Sequence, residues 1–194
     1  MDNVKTGELI RRLRKERNMT QLQLAEKLCV SDKAVSKWER GLGAPEVSLV
    51  AELSKIFEVD MENLFAGELN KNKVSNGNMR RMKFYVCPHC GNIVTSMAET
   101  SATCCGRKLK ELTPVKAEEK LNVEIIDNEY FVSRDHEMTR EHYIAFVAVV
   151  TADTILMKKQ YPEWDLQVRL PYFARGRLMW YCTKHGLFYQ ELGR

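Results

Sequence analysis

Along the first third of the chain, apolar side chains return every three or four positions, the period of helices that bury one face. Leu9, Ile10 and Leu13 mark that face in a first helix. Thr20 is suited to N-cap a second, carrying Leu22, Leu24, Ala25 and Leu28, and Ser31 to cap a third. The third ends at Gly41, a residue that accepts the left-handed backbone of a helix C-terminus. After Pro45, Leu49, Val50, Leu53, Ile56 and Phe57 predict a fourth helix, and Met61 to Phe65 a short fifth. Residues 68–83 are polar and rich in Asn and Lys, and read as a linker, helical in part. From Phe84 onward the pattern becomes that of short strands and turns: Asn122–Ile126, Tyr130–Ser133, Tyr143–Val150, Thr154–Tyr161, Leu166–Leu170, Leu178–Cys182 and Leu187–Tyr189. Such closely spaced strands predict an antiparallel sandwich. The expected fold is a multi-domain α + β chain: a five-helix bundle at 1–67, the linker, a small module at 84–112 and a β-sandwich at 113–194.

Composition changes this picture little. With 44% hydrophobic and 29% charged residues the chain is ordinary for a globular protein. Its longest apolar run, Tyr143 to Val150, is strand-sized, far short of the ~18–20 residues of a membrane span. Met1 to Lys5 carry no apolar signal core, so a cytoplasmic protein is expected. That expectation bears on the six cysteines. In a reducing compartment, clustered cysteines are more often metal ligands than disulfides, and four fall in Cys87-Pro-His-Cys90 and Cys104-Cys105.

Charge does not by itself point to nucleic acid. The net charge is +4, but residues 1–68 hold 11 Lys/Arg against 12 Asp/Glu. Placement matters more than balance. Arg11, Arg12, Arg14, Lys15 and Arg17 share one segment, and Lys33, Lys37 and Arg40 another, while acids gather further on at Glu46, Glu52, Glu58, Asp60 and Glu62.

The segment Met19 to Gly41 resembles the lambda repressor/Cro family of regulators, also called XRE, through Thr20-Gln21, Leu24-Ala25, Val30-Ser31, Val35-Ser36 and Trp38-Glu39-Arg40-Gly41. The side-chain sizes agree with a helix-turn-helix: small Ala25 lets two helices approach, and Leu24, Leu28, Val30 and Val35 fill the wedge between them. The resemblance implies that the third helix enters the major groove, with Ser31, Asp32, Lys33, Ser36 and Lys37 facing DNA. Gln21 would hold a phosphate at the start of the second helix, with Arg40 and the exposed arginines of the first helix as further phosphate contacts. Glu39 is expected to pair with Arg14, and Trp38 and Cys29 to lie in the core. Double-stranded DNA is the expected partner, bound by a homodimer.

Four thiolates from two short turns suit a tetrahedral site for zinc or iron. The pattern Cys87-Pro-His-Cys90-Gly … Cys104-Cys105-Gly resembles desulforedoxin and the N-terminal module of desulfoferrodoxin, with His89 turned outward. Residues from about 118 to 190 resemble the superoxide reductase domain of desulfoferrodoxin through His136-Glu-Met-Thr-Arg-Glu-His142-Tyr-Ile and Tyr181-Cys182-Thr-Lys-His185-Gly. That family implies an immunoglobulin-like sandwich and an iron held by four histidines and one thiolate. His136, His142 and His185 match three of the histidines, and Cys182 the thiolate. The fourth is absent: Glu119-Lys120-Leu121-Asn122-Val123 places leucine there, with Lys120 aligned to the family's catalytic lysine. Three histidines and a cysteine suit closed zinc or open iron ligation.

The combination reads as a DNA-binding transcriptional regulator whose metal-binding half senses metal or oxidants. Two alternatives stand beside it: a superoxide reductase-type iron enzyme carrying a DNA-binding module, and a regulator whose metal sites are purely structural.

Overall fold

The computed structural model describes residues 2–72 and 78–193. The part of the expected linker at 73–77 lies outside the described residues. Contacts separate the chain into Met1–Lys71 and Asn72–Arg194.

The first unit is five helices: α1 (Asn3–Glu16), α2 (Gln21–Lys27), α3 (Asp32–Glu39), α4 (Val47–Phe57) and α5 (Met61–Ala66). Their starts are written in short polar side chains. Asp2 accepts from the amides of Val4 and Lys5, and Ser31 from that of Ala34. Thr20 and Gln23 satisfy each other's backbone N–H in a reciprocal capping box. Leu9, Ile10, Leu13, Leu24, Ala25, Val35, Leu53 and Phe57 are buried in one core. Helix α1 approaches α3 so closely that a Cβ at Gly7 would sit 2.0 Å from the Trp38 carbonyl oxygen.

One expectation for this unit fails. Cys29 is exposed rather than core: it sits at φ 54° in the turn after α2, and the turn points Leu28 inward instead. Leu22 is also exposed, because the stripe that meets the core runs through Leu24, Ala25 and Leu28.

In the second unit, Met79–Arg81 make one 3-10 turn. A small module follows: β1 (Lys83–Val86), β2 (Ile93–Ser96), β3 (Thr103–Cys104), β4 (Arg107–Lys108) and β5 (Glu111–Leu112). Strands β2-β1-β5 form one sheet, and β3 and β4 a separate hairpin. Then come β6 (Val115–Lys116), β7 (Asn122–Ile126), β8 (Glu129–Arg134), β9 (Ile144–Val150), β10 (Ile155–Lys159), β11 (Leu166–Pro171), β12 (Gly176–Cys182) and β13 (Gly186–Leu192). They build two sheets, β10-β9-β12-β13-β6 and β11-β8-β7. Pairing is antiparallel except where β6 runs parallel to β13. The sandwich core joins Tyr130, Val132, Val168 and Leu170 of one sheet to Val147, Val149, Leu178 and Trp180 of the other.

Strand β9 is buried at all seven positions, which explains its unbroken apolar run. Val147 and Val149 face the sandwich core, while Phe146, Ala148 and Val150 join a second cluster with Phe84 of β1. The small module thus packs on the outer face of the sandwich. Phe84 stacks on Phe146 at 5.7 Å, and Phe146 on Tyr181 at 5.9 Å.

Candidate nucleic-acid interface and metal centres

Helix α3 presents Ser31, Asp32, Lys33, Lys37 and Arg40 to solvent, with Ser36 half-buried on the same side. Beneath them, Val35 and Trp38 anchor the helix in the core. Arg14 and Glu39, both buried, form a two-pronged pair at 2.6 and 2.9 Å, as the sequence suggested. Burial would raise the Glu39 carboxyl, but hydrogen bonds from Arg14 and Gln21 outweigh it and hold the group below its usual range. Gln21 is engaged here: its Nε2 donates to Glu39 Oε2 at 2.7 Å. That bond fixes the amide at the start of α2 and leaves its oxygen free of this pairing.

Sulfur atoms of Cys87, Cys90, Cys104 and Cys105 lie within 4.8 Å of one another. The first pair comes from the turn after β1, closed by Gly91 N–H to the Cys87 carbonyl at 2.9 Å, with Gly91 at φ 67°. The second comes from the β3–β4 hairpin, whose two turn residues, Cys105 and Gly106, both have positive φ (50° and 71°), as a tight primed turn demands. His89 is exposed and outside the cluster. Backbone N–H groups of Cys90 and His89 lower the Cys87 thiol to about 6, while the adjoining sulfurs of Cys90, Cys104 and Cys87 push Cys105 up to about 12. Four thiols crowded this way resist full ionisation unless a cation shares their charge. The donor set therefore fits a thiophilic divalent ion.

His136, His142, Cys182 and His185 likewise bring their donor atoms within 4.8 Å. Cys182 follows Leu178 and Trp180 in the alternation of β12 toward the sandwich core. Opposite it the register shifts, Tyr181 pairing with Phe146 but Cys182 with Ile144, so Ala145 is the extra residue of a β-bulge that turns Ile144 to the same side. His142 is buried, and its Nε2 has no hydrogen-bond partner, alone in this among the described buried side-chain nitrogens and oxygens. An orphaned ring nitrogen among two other imidazoles and a thiol is what a metal ligand looks like before the metal is counted. A cavity of about 340 Å³ adjoins the group, lined in part by Ala117, Glu118, His136, Trp180, Cys182 and His185. Leu121, which the sequence resemblance set against a fourth histidine, is core: it is buried, and its N–H and C=O are both held by the Gln190 amide at 2.8 and 3.2 Å. Lys120 is exposed, with its carbonyl facing Arg134.

Residues 10–64 match the Helix-turn-helix family. The N-terminal unit is a helix-turn-helix domain. It is 46% identical over 62 residues to the HTH-type transcriptional activator BcrR of Enterococcus faecalis, a match covering 32% of this chain and 30% of that protein. The chain thus spans less than a third of that relative. The second unit is similar to the superoxide reductase from Treponema pallidum: 23% identity, a TM-score of 0.50, 57% of this chain and 98% of that one. This likeness establishes the fold of the second unit and no more.

Beside the helix-turn-helix, the sequence left several contributors unmarked. Glu137, bonded to His142, lies inside the quoted histidine motif but was given no role there, and Gln190, clamping Leu121, lies in no motif. A glutamate between two candidate ligands was the one available signal for the first. Nothing in local sequence signals the second, since its partner is remote in the chain.

Proposed function

We propose that this chain is a sequence-specific DNA-binding transcriptional regulator, acting as a homodimer in the cytoplasm, with metal at two centres in its second unit. The observation that carries it is the helix-turn-helix: a capped α2, a tight turn and a core-anchored α3 whose outer residues are short, polar or basic. Lys33 and Lys37 supply charge toward phosphates and base edges, Ser31, Asp32 and Ser36 add hydrogen-bonding groups, and Gln21 and Arg40 contact phosphates from the flanks. The four-cysteine module holds zinc or iron, and the histidine–cysteine centre a second ion. Such an ion would supply a fixed positive charge and, if it is iron, a one-electron couple; Cys182 and the three imidazoles would hold it, the thiol carried at the end of β12. The second unit then serves to sense metal or oxidant.

Selection of bound sequences from a random duplex pool, followed by titration of the recovered site, tests the DNA-binding reading. Lys33→Ala with Lys37→Ala should weaken binding at least tenfold and flatten its salt dependence. Unchanged affinity and slope would remove α3 from the interface. A superoxide reductase reading is favoured by the three histidines and one cysteine gathered in a superoxide reductase fold. Metal analysis with anaerobic visible spectroscopy separates the two: zinc at both centres excludes it and direct redox sensing, while iron at the histidine–cysteine centre with superoxide turnover supports it.

A further inference from the structure

One residue holds two of the three histidines of the histidine–cysteine centre. The Nδ1 of His136 lies 2.6 Å from the backbone carbonyl oxygen of Glu137, and the Nδ1 of His142 lies 2.6 Å from Glu137 Oε2. A carbonyl oxygen and an ionised carboxylate only accept, so both ring nitrogens donate. A neutral imidazole donating from Nδ1 has its lone pair on Nε2, and the Nε2 of His142 is the buried atom left without a partner. We propose that Glu137 is the positioning residue of this centre, setting the Nδ1–H tautomer of His136 through its backbone and of His142 through its side chain, so that both offer Nε2 as a donor to a divalent cation.

The loop is built to hold this arrangement. Thr139 Oγ1 donates to Glu137 Oε1 at 3.3 Å and accepts from the His142 N–H at 3.2 Å, while Thr139 N–H donates to the His142 carbonyl at 2.9 Å. The carboxylate is therefore fixed from one side by Thr139 and from the other by His142. His185 lies outside it, with Nδ1 facing Cys182 Sγ at 3.5 Å. Metal-ligating imidazoles are commonly oriented by a carboxylate or carbonyl on the second ring nitrogen, and loss of that partner typically lowers metal affinity about 10–100-fold. Because the Glu137 side chain is 53% exposed, water screens its charge. The hydrogen bond, rather than the charge, carries its effect.

This inference rests on the histidine–cysteine group being a metal site, and its test separates the two. In reduced, metal-free full-length protein with 15N-labelled histidine, long-range 1H–15N correlation should show His136 and His142 protonated at Nδ1. Glu137→Ala should release His142 to the other tautomer and leave His136, which uses the backbone carbonyl, as it was. Zinc titration against a chromophoric chelator should then show the second equivalent weakened about 10–100-fold in Glu137→Ala. Glu137→Gln, whose amide oxygen still accepts from Nδ1, should stay close to wild type. Retention of the His142 Nδ1–H tautomer in Glu137→Ala, or an unchanged second zinc affinity, would overturn the assignment. So would a Glu137→Gln affinity as low as that of Glu137→Ala, which would make charge the cause. If wild type binds one equivalent and His142→Ala or Cys182→Ser does not alter it, the metal reading of the centre fails and the affinity role falls with it, whatever the tautomers show.

Discussion

Arg14 and Glu39 illustrate how a buried pair serves a surface. The two side chains are 9% and 3% exposed and joined by two hydrogen bonds, and Glu39 also receives Gln21. Glu39→Ala should cost about 3–5 kcal/mol, because it strands a buried guanidinium. Urea denaturation of the full chain followed by helical circular dichroism measures this. The double change Arg14→Met with Glu39→Leu should recover most of the loss in stability, yet not in DNA affinity, since Gln21 would remain unheld. The pair also sets an acid limit. Glu39 is depressed in the folded state, so its stabilisation is complete above the ordinary carboxyl value of 4.5 and fades as pH falls through the lower folded value. Acid titration of helix content should show this loss in wild type and its absence in the double variant. Pairing of residues 14 and 39 was readable from the resemblance; the third member was not, since Gln21 offered an equally good role toward phosphate. Cys29 was misread because burial in a turn depends on which residue takes positive φ.

At the level of elements, regular patterns were readable and departures from them were not. Helices with capped starts and strands with apolar runs lay close to where the sequence put them. The bulge at Ala145 left no trace in an unbroken apolar stretch, although it turns Ile144 into the sandwich core opposite Cys182. Nor did that stretch reveal what covers its second face, because Phe84 belongs to a different segment. Phe146 is fully buried between Phe84 and Tyr181. Phe146→Ala should therefore destabilise the second unit by about 3–5 kcal/mol. Since Tyr181 adjoins Cys182, the same change should also weaken metal uptake at the histidine–cysteine centre, whereas Phe57→Ala in the first unit should not. Denaturant midpoints and zinc titration of both variants check the pair of outcomes.

Across the whole molecule, the division into a helical and a β-rich half was plain from the change of period, and the four-cysteine group from its spacing. Strands β3 and β4 have two residues each, too short to hold a hairpin by themselves. Chelation under reducing conditions should thus raise amide exchange across residues 83–112 by orders of magnitude and leave α1–α5 at their original rates. Hydrogen-exchange mass spectrometry reads both regions in one experiment; equal protection with and without chelator would mean the module folds without metal.

Leu121 carries a consequence for which donors such a centre can recruit. Its side chain is 3% exposed, and its peptide group is gripped at both ends by Gln190. Histidine there would put a polar ring into a packed core before any ligand was gained, at roughly 1–3 kcal/mol for the unpaired group. Leu121→His should lower the melting temperature without tightening zinc or iron at the histidine–cysteine centre. A fourth imidazole is thus uphill to introduce at this position, so the ligand set is guarded by packing: the core would have to be rebuilt around residue 121 before a further donor could count.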